Sequence, residues 1–170
     1  MKIYKGKSRI VFVFSKIAIK LPIIRFIKAF KIAKYWIKRR IFWQSIYEYN
    51  YYTYSTVQIF LLLGIMENWN EYRFYKETKS IFLVPTYFSL LGLVNFQKIG
   101  KPFYMNEELF WKRLYHITQG KIFDDPHHFL DQKNFSKTDD RLQMLDYGNH
   151  KCFRVIREYG DKIFEEFEFV

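Results

Sequence analysis

Five polar side chains are of types that could bind a charged ligand and a metal ion. Lys20 ends a short run of apolar residues, and Glu71 lies in a stretch with helical character. Asp131 stands three positions before Asn134, and Asp146 follows Asn134 by 12 positions. A lysine on a rigid strand supplies a positive charge at a fixed place, and amide and carboxylate oxygens are ligands that suit Mg²⁺. These residues can act together only if the fold brings them to one place.

The strand that would carry Lys20 is predicted from β-branched and aromatic residues. Residues 8–14 and 16–21 are two such runs with a break at Ser15-Lys16, which indicates a β-hairpin. Alternation along the second run puts Ala18 and Lys20 on one face. Pro22 should end this strand, and residues 23–43 then predict a helix with a basic face and an apolar face.

The rest of the chain predicts a mixture of helices and strands. Residues 55–78 indicate one or two helices, with Gly64 as a joint between them and Asn68 or Asn70 as an N-cap. Asn106, followed by Glu107 and Glu108, predicts the start of another helix. The remaining expectations are strands at 81–84 and 87–97, a helix at 106–119, a loop at 120–140, strands at 141–146 and 151–156, and a short helix at the end. This order predicts an α+β fold.

Four features in this order resemble the protein kinase family. Ile17-Ala18-Ile19-Lys20 is similar to the kinase Val-Ala-Ile-Lys strand. Glu71 would correspond to the helix glutamate that pairs with that lysine, with Glu67 and Glu77 as rivals. Residues 80–97 resemble the segment that leads to the kinase hinge. The stretch from 130 to 148, with Asn134 and then Asp146-Tyr147-Gly148, is similar to the metal-binding Asn and the Asp-Phe-Gly motif.

The resemblance implies a role for each of these side chains. Lys20 would contact ATP phosphates, Glu71 would orient Lys20, and Asn134 with Asp146 would bind Mg²⁺. Asp131 is the candidate for the catalytic base, although it lies three residues before Asn134, where the family has its aspartate five before. We therefore expect a kinase-like N-terminal lobe with a truncated C-terminal lobe, in one domain over 1–170 with a helical insertion at 23–66.

Several kinase features are missing from the sequence. Gly6 is the only glycine before Gly64, so there is no glycine-rich phosphate loop, and no His-Arg-Asp motif is present. Only 22 residues follow Gly148, too few for a normal activation segment and peptide-binding lobe. The sequence therefore favours a degenerate, pseudokinase-like module that binds a nucleotide or a protein partner. A minimal ATP-dependent phosphotransferase is the alternative.

The positive charge of the chain is concentrated at its start. Residues 1–40 contain 13 Lys or Arg and no Asp or Glu, while the whole chain has a formal charge of +11. Such asymmetry indicates an acidic partner, and a nucleic acid or an anionic membrane could bind through residues 1–43. A basic adaptor is thus a third hypothesis, beside the simpler interpretation of a solvated basic face.

Cysteine and histidine add little further chemistry. Cys152 is the only cysteine, so no internal disulfide can form, and together with the lack of a convincing signal sequence this favours a cytoplasmic location. Residues Asp124, Asp125, His127, His128 and Asp131 could bind zinc, but adjacent histidines chelate poorly and no second spaced set of ligands follows. A polar surface loop is the simpler interpretation of that segment.

Overall fold

The computed structural model describes residues 1–39 and 61–169. Within these ranges the chain forms a five-stranded antiparallel sheet, a separate two-stranded hairpin and four helices longer than two turns. The strands are β1 (Lys2–Lys5), β2 (Arg9–Phe14), β3 (Ile17–Pro22), β4 (Thr86–Leu90), β5 (Val94–Lys98), β6 (Phe135–Thr138) and β7 (Arg141–Met144). The helices are α1 (Phe26–Lys38), α2 (Leu63–Thr78), α3 (Glu107–Ile117), the single turn α4 (Pro126–Phe129) and α5 (His150–Glu166). The predicted α+β class is confirmed.

The sheet has the strand order β1-β2-β3-β5-β4. The predicted hairpin is confirmed, because β2 and β3 pair antiparallel from Arg9↔Pro22 to Phe14↔Ile17. β1 extends the sheet at one edge and was not predicted. β3 pairs on its other side with β5, so that Lys20 faces Asn95 near the middle of the sheet.

The two faces of this sheet differ in polarity. On the outer face one apolar row crosses all five strands, namely Ile3, Phe12, Ile19, Phe96 and Phe88. The inner face packs on α2 and buries mainly polar side chains: Arg9, Lys20, Thr86, Ser89, Asn95 and Gln97. The layer between the sheet and α2 is therefore held largely by hydrogen bonds and ion pairs.

The apolar core is built mainly by the second half of the chain and reaches α2 through Phe74. Phe74 of α2 stacks on Phe153 of α5, with ring centroids 3.9 Å apart and planes nearly parallel. Phe110 of α3 lies 5.3 Å from Phe135 of β6, measured between ring centroids. The core thus joins α2, α3, α5 and the β6–β7 hairpin, while the polar layer lies between α2 and the five-stranded sheet.

The C-terminal strand predicted at 151–156 is wrong. Residues His150–Glu166 form one helix, α5, and Asn149 caps it by accepting a hydrogen bond from the Lys151 N–H. Its buried positions are Cys152, Val155, Ile156, Gly160 and Ile163, which recur at helical spacing. The β-branched residues near its start favoured a strand locally, but burial of one helical face against the core outweighs that preference.

Three further predictions need correction. The stretch 120–140 is not a plain loop, since it contains two 3₁₀ turns (Lys121–Asp124 and Gln132–Asn134), α4 and β6. Residues 81–84 form a turn whose Leu83 makes an isolated bridge to Met144. Residues 87–97 comprise two strands joined by a turn that contains Gly92 at φ 78°. The helix predicted at 106–119 is confirmed as α3, with the Asn106 side chain accepting from the Leu109 N–H.

The helices that follow β3 also differ from expectation. β3 ends at Pro22, as predicted, but α1 begins only at Phe26. Gly64 lies in the first turn of α2, where a Cβ would come 2.3 Å from the Ser8 carbonyl oxygen, so this glycine allows close packing; most of the helix predicted before it lies outside the described residues. Asn68 lies inside α2 and is not its N-cap. The proposed insertion at 23–66 includes α1 and the start of α2, and its residues 40–60 lie outside the described ranges.

Within 1–39 and 61–169, no helix combines the length and apolar character needed to cross a membrane.

Candidate functional site

Lys20 and Glu71 are in direct contact between the sheet and α2. The Lys20 ammonium lies 2.9 Å from each carboxylate oxygen of Glu71 and 3.0 Å from the Leu145 carbonyl oxygen. Glu71 is fully buried and Lys20 is 6% exposed. Burial lowers the pKa of Lys20, while the Glu71 carboxylate acts in the opposite direction. Sequence reasoning selected both residues, and the structure brings them together; their role toward a nucleotide remains a prediction.

The side chains of α2 explain why Glu71 points at the sheet. Gly64, Asn68, Glu71 and Phe74 share its buried face at helical spacing. The Asn68 amide donates to the carbonyl oxygens of Lys20, at 3.2 Å, and Gly92, at 2.9 Å. Asn68 thereby fixes α2 on β3 one turn before Glu71, and the carboxylate meets the lysine of the same strand.

Arg9 of β2 joins this pair to Asp146, and sequence reasoning missed it. One guanidinium nitrogen of Arg9 lies 2.5 Å from Glu71 Oε1, and another lies 2.5 Å from Asp146 Oδ1. The Arg9 Nε is 3.5 Å from Glu67 Oε2, which also accepts a hydrogen bond from the Ser8 hydroxyl. Arg9 is only 7% exposed, so its charge is held by carboxylates rather than by water.

Arg9, Lys20, Glu67, Glu71 and Asp146 form an ion-pair cluster. Burial and the neighbouring charges shift the pKa values of Arg9, Glu67 and Asp146 within it. Burial would raise the pKa of the Asp146 carboxyl, but Arg9 and Lys20 outweigh burial and hold that pKa well below its usual range. Burial lowers the pKa of Arg9, yet the three carboxylates more than compensate and raise it overall. The pKa of Glu67 is raised, chiefly by burial. Two cations therefore face three acidic groups, and the pKa values of Glu67 and Asp146 are shifted in opposite directions.

The loop after β7 lies against both α2 and the start of β6. The Asn134 carbonyl oxygen accepts from the N–H of Leu145 at 2.7 Å, so the β6–β7 hairpin brings Asn134 beside Asp146. The Asn134 side-chain amide donates to the His128 carbonyl oxygen at 3.0 Å. Gly148 lies so close to α2 that a Cβ would come 2.4 Å from the Glu67 carbonyl oxygen. These contacts hold the Asp146 carboxylate beside Arg9.

Asp131 occupies a different position from the ion-pair cluster. Its carboxylate accepts a hydrogen bond from the Lys133 N–H at 3.0 Å and so caps the short turn Gln132–Asn134. The residue is exposed. The structure thus gives Asp131 a local capping contact and joins Lys20, Glu71 and Asp146 into one cluster without it.

A buried histidine–aspartate pair lies next to the cluster. His128 Nδ1 is 2.8 Å from Asp125 Oδ2, and the two residues are 8% and 3% exposed. Burial lowers the pKa of His128, but Asp125, together with the charges of Asp146 and Glu67, raises it above the ordinary value. Among the residues that the structure describes, no group of three or more His, Cys, Asp or Glu side chains is placed to hold a metal ion. The zinc alternative therefore gains no support from them.

The raised pKa of His128 predicts a pH-dependent contribution to stability. Its pKa is higher folded than unfolded, so the stabilisation is complete below the unfolded value of about 6.5 and is lost as pH rises through the folded pKa. His128→Gln should therefore lower the free energy of unfolding more at pH about 5.5 than at pH about 8.5. Urea unfolding of both proteins at the two pH values measures this difference. An equal or larger loss at the higher pH would contradict a charged His128.

Comparison of the chain with protein-family models, curated proteins and solved structures finds no match. The resemblance to protein kinases accordingly rests on the residues of the chain itself. The contacts of Arg9, Lys20, Glu71 and Asp146 are the observations from which a function can be argued.

Proposed function

We propose that this chain is a kinase-like, non-catalytic interaction module in which the residues of a nucleotide site have become a structural ion-pair cluster. The observation that carries the proposal is the position of Arg9, whose guanidinium contacts both Glu71 and Asp146 at 2.5 Å. In the kinase arrangement, the corresponding carboxylates hold the phosphate-binding lysine and Mg²⁺. Here a side chain of the protein already satisfies them.

The donors of the proposed magnesium site fit a divalent ion poorly. Mg²⁺ requires near-octahedral oxygen coordination at about 2.0–2.1 Å. Asp146 Oδ1 is engaged by Arg9, and a dication beside that carboxylate would also face the charge of the guanidinium. The Asn134 side-chain nitrogen donates to the His128 carbonyl oxygen at 3.0 Å, and this contact fixes the orientation of the side-chain oxygen that a metal ion would need. Mg²⁺ bound with ATP at Asp146 would therefore have to compete with the charge of Arg9.

The phosphotransferase alternative depends on Asp131 as its catalytic base, and the carboxylate of Asp131 is engaged elsewhere. Asp131 is the only candidate that the sequence offers for this role, and its carboxylate caps the turn that begins at Gln132. A general base must come within hydrogen-bond reach of the proton that it removes. The contacts of Asp131 and Arg9 together favour a binding role over phosphate transfer.

Thermal unfolding with ATP and MgCl₂ tests the proposal. A ligand at about 100 times its Kd adds about 2.7 kcal/mol to stability, which is several degrees in Tm for a chain of this size. We expect a shift smaller than about 1 °C for the natural chain, because Arg9 occupies the carboxylates. ADP with MgCl₂ and MgCl₂ alone serve as references.

A saturable rise of several degrees would overturn the proposal that these residues now form a structural cluster in place of a nucleotide site. If that rise is lost in Lys20→Met and kept in Lys16→Met, an exposed lysine of the same hairpin, the chain binds nucleotide through Lys20. Transfer of radiolabelled phosphate to protein substrates, absent in Asp146→Ala, would then establish a phosphotransferase. Loss of Tm in the variants without ligand must be subtracted, since Lys20 is itself part of the cluster.

A further inference from the structure

The surface of α1 combines exposed apolar residues with a dense positive charge. Phe26, Ile27, Phe30 and Ile37 are 67%, 74%, 72% and 60% exposed. At about 100° per residue, Phe26, Phe30 and Ile37 fall within one narrow stripe of the helix. Ala29 and Ala33, the less exposed positions, continue this apolar side. An apolar groove of about 560 Å³ runs along it, lined in part by Phe26, Phe30 and Leu61.

The side of α1 that adjoins this stripe is basic. Lys28, Lys31, Lys34 and Lys38 are all exposed, and α1 contains no acidic residue. Around them lie further surface cations of the first 39 residues: Lys2, Lys5, Lys7, Lys16, Arg25 and Arg39. Within the described ranges, none of these ten groups is in an ion pair; the only paired cations of residues 1–39 are Arg9 and Lys20. The positive charge of this region is therefore available to an external anion.

From these two features we propose that α1 binds the surface of an anionic lipid bilayer, lying parallel to it with the stripe of Phe26, Phe30 and Ile37 inserted among the acyl chains. A helix with bulky apolar residues on one side and lysines on the other is the form that lies in the membrane interface. Each lysine near an anionic surface contributes about 1 kcal/mol, or about fivefold in partitioning. The 13 residues of α1 are too few to cross a bilayer, but their length suffices for this orientation.

The apolar stripe favours lipid over nucleic acid as the partner. A nucleic acid would use the lysines for its phosphates and flat aromatic faces for stacking on bases. The stripe includes the aliphatic residue Ile37 beside two phenylalanines, and acyl chains accept all three equally well. The inference stands on α1 alone and goes beyond the proposed function, because none of its residues belongs to the ion-pair cluster.

Co-sedimentation with lipid vesicles tests the inference on the full chain. We expect the natural protein to sediment with vesicles of equal parts phosphatidylcholine and phosphatidylserine, and not with vesicles of phosphatidylcholine alone. Binding should weaken as salt is added, since screening reduces the attraction between surface charges. Single-stranded RNA and duplex DNA are tested in the same buffers.

Two pairs of substitutions separate charge from insertion. Lys31→Glu with Lys34→Glu should weaken partitioning by at least about 25-fold, which is the loss of two fivefold contributions. Its control is Lys121→Glu with Lys151→Glu, which makes the same change of net charge at exposed positions outside α1. Phe26→Ser with Phe30→Ser should weaken partitioning at least tenfold, whereas Tyr104→Ser, at a 97% exposed aromatic outside α1, should not.

Several outcomes would overturn the inference. One is the absence of binding to phosphatidylserine vesicles even at low salt, and another is equal loss in the control variants. Binding to RNA or DNA that is lost with the lysine substitutions, without vesicle binding, would assign α1 to nucleic acid. A dimer in solution that dissociates in Phe26→Ser with Phe30→Ser, again without vesicle binding, would show that a second copy covers the stripe. Circular dichroism confirms that each variant is folded, and the ATP experiment is unaffected by any of these results.

Discussion

Replacement of Arg9 by methionine is expected to lower the free energy of unfolding by about 3–5 kcal/mol, because it removes one partner from a buried set of charges. Glu67, Glu71 and Asp146 would then share Lys20 as their cation within the ion-pair cluster. Glu71 would suffer most, since it is fully buried and loses a contact of 2.5 Å. Urea unfolding followed by circular dichroism measures the loss.

Three comparisons identify the cause of this loss. Arg73→Met makes the same substitution at an exposed position of α2 and should change stability by no more than about 0.5 kcal/mol. Arg9→Lys keeps the charge but cannot contact Glu71 and Asp146 through two separate nitrogens of a planar guanidinium. Its loss of unfolding free energy should therefore be intermediate. The deficit of Arg9→Met should also shrink as pH falls toward about 4, where the unpaired carboxylates become protonated. A loss below about 1 kcal/mol for Arg9→Met would contradict the structural role that we assign to Arg9.

Replacement of Phe110 by alanine is expected to cost a similar amount, about 3–5 kcal/mol, for a different reason. Phe110 is completely buried, and its ring lies 5.3–5.8 Å from the rings of Phe103, Phe135 and Phe167, measured between centroids. The substitution would leave a cavity where α3, β6 and the segment after α5 meet. The loss arises from missing packing contacts, so, unlike that of Arg9→Met, it should not vary with pH between about 4 and 8.

Phe123→Ala is the matched control for this cavity. Phe123 is 53% exposed and makes an edge contact with Tyr115. Its replacement should cost less than about 1 kcal/mol by the same unfolding measurement. Equal losses at Phe110 and Phe123 would mean that the aromatic core does not hold the second half of the chain together.

The parts of the fold that the sequence predicted are those with strong local signals. The β2–β3 hairpin follows from two adjacent β-branched runs, and α3 follows from Asn106 with acidic residues in its first turn. The first part of α5 was missed because its residues have strand character, while the helical spacing becomes evident only over the full stretch from Cys152 to Ile163. The turn between β4 and β5 was also missed, although Gly92 marks it and its positive φ favours glycine.

The candidate site was predicted in part for the same reason. Lys20, Glu71, Asn134 and Asp146 were selected through a resemblance that assigns each a place along the chain. Arg9 has no such place, and a single arginine at the start of an apolar strand is normally expected at the surface. Its partners are 62 and 137 positions away, so only the packing of β2 against α2 and the loop after β7 reveals them. Sequence spacing alone carries no information on such long-range ion pairs.

The polar layer between the sheet and α2 has a consequence for heat tolerance. Transfer of ionic groups from water into a protein interior costs less as temperature rises, because the hydration of ions becomes less favourable. The cost of burying Arg9, Lys20 and Glu71 therefore decreases on warming, while the attraction among them persists. Compared with an equally packed apolar layer, this polar layer should make the free energy of unfolding decrease less steeply as the temperature rises.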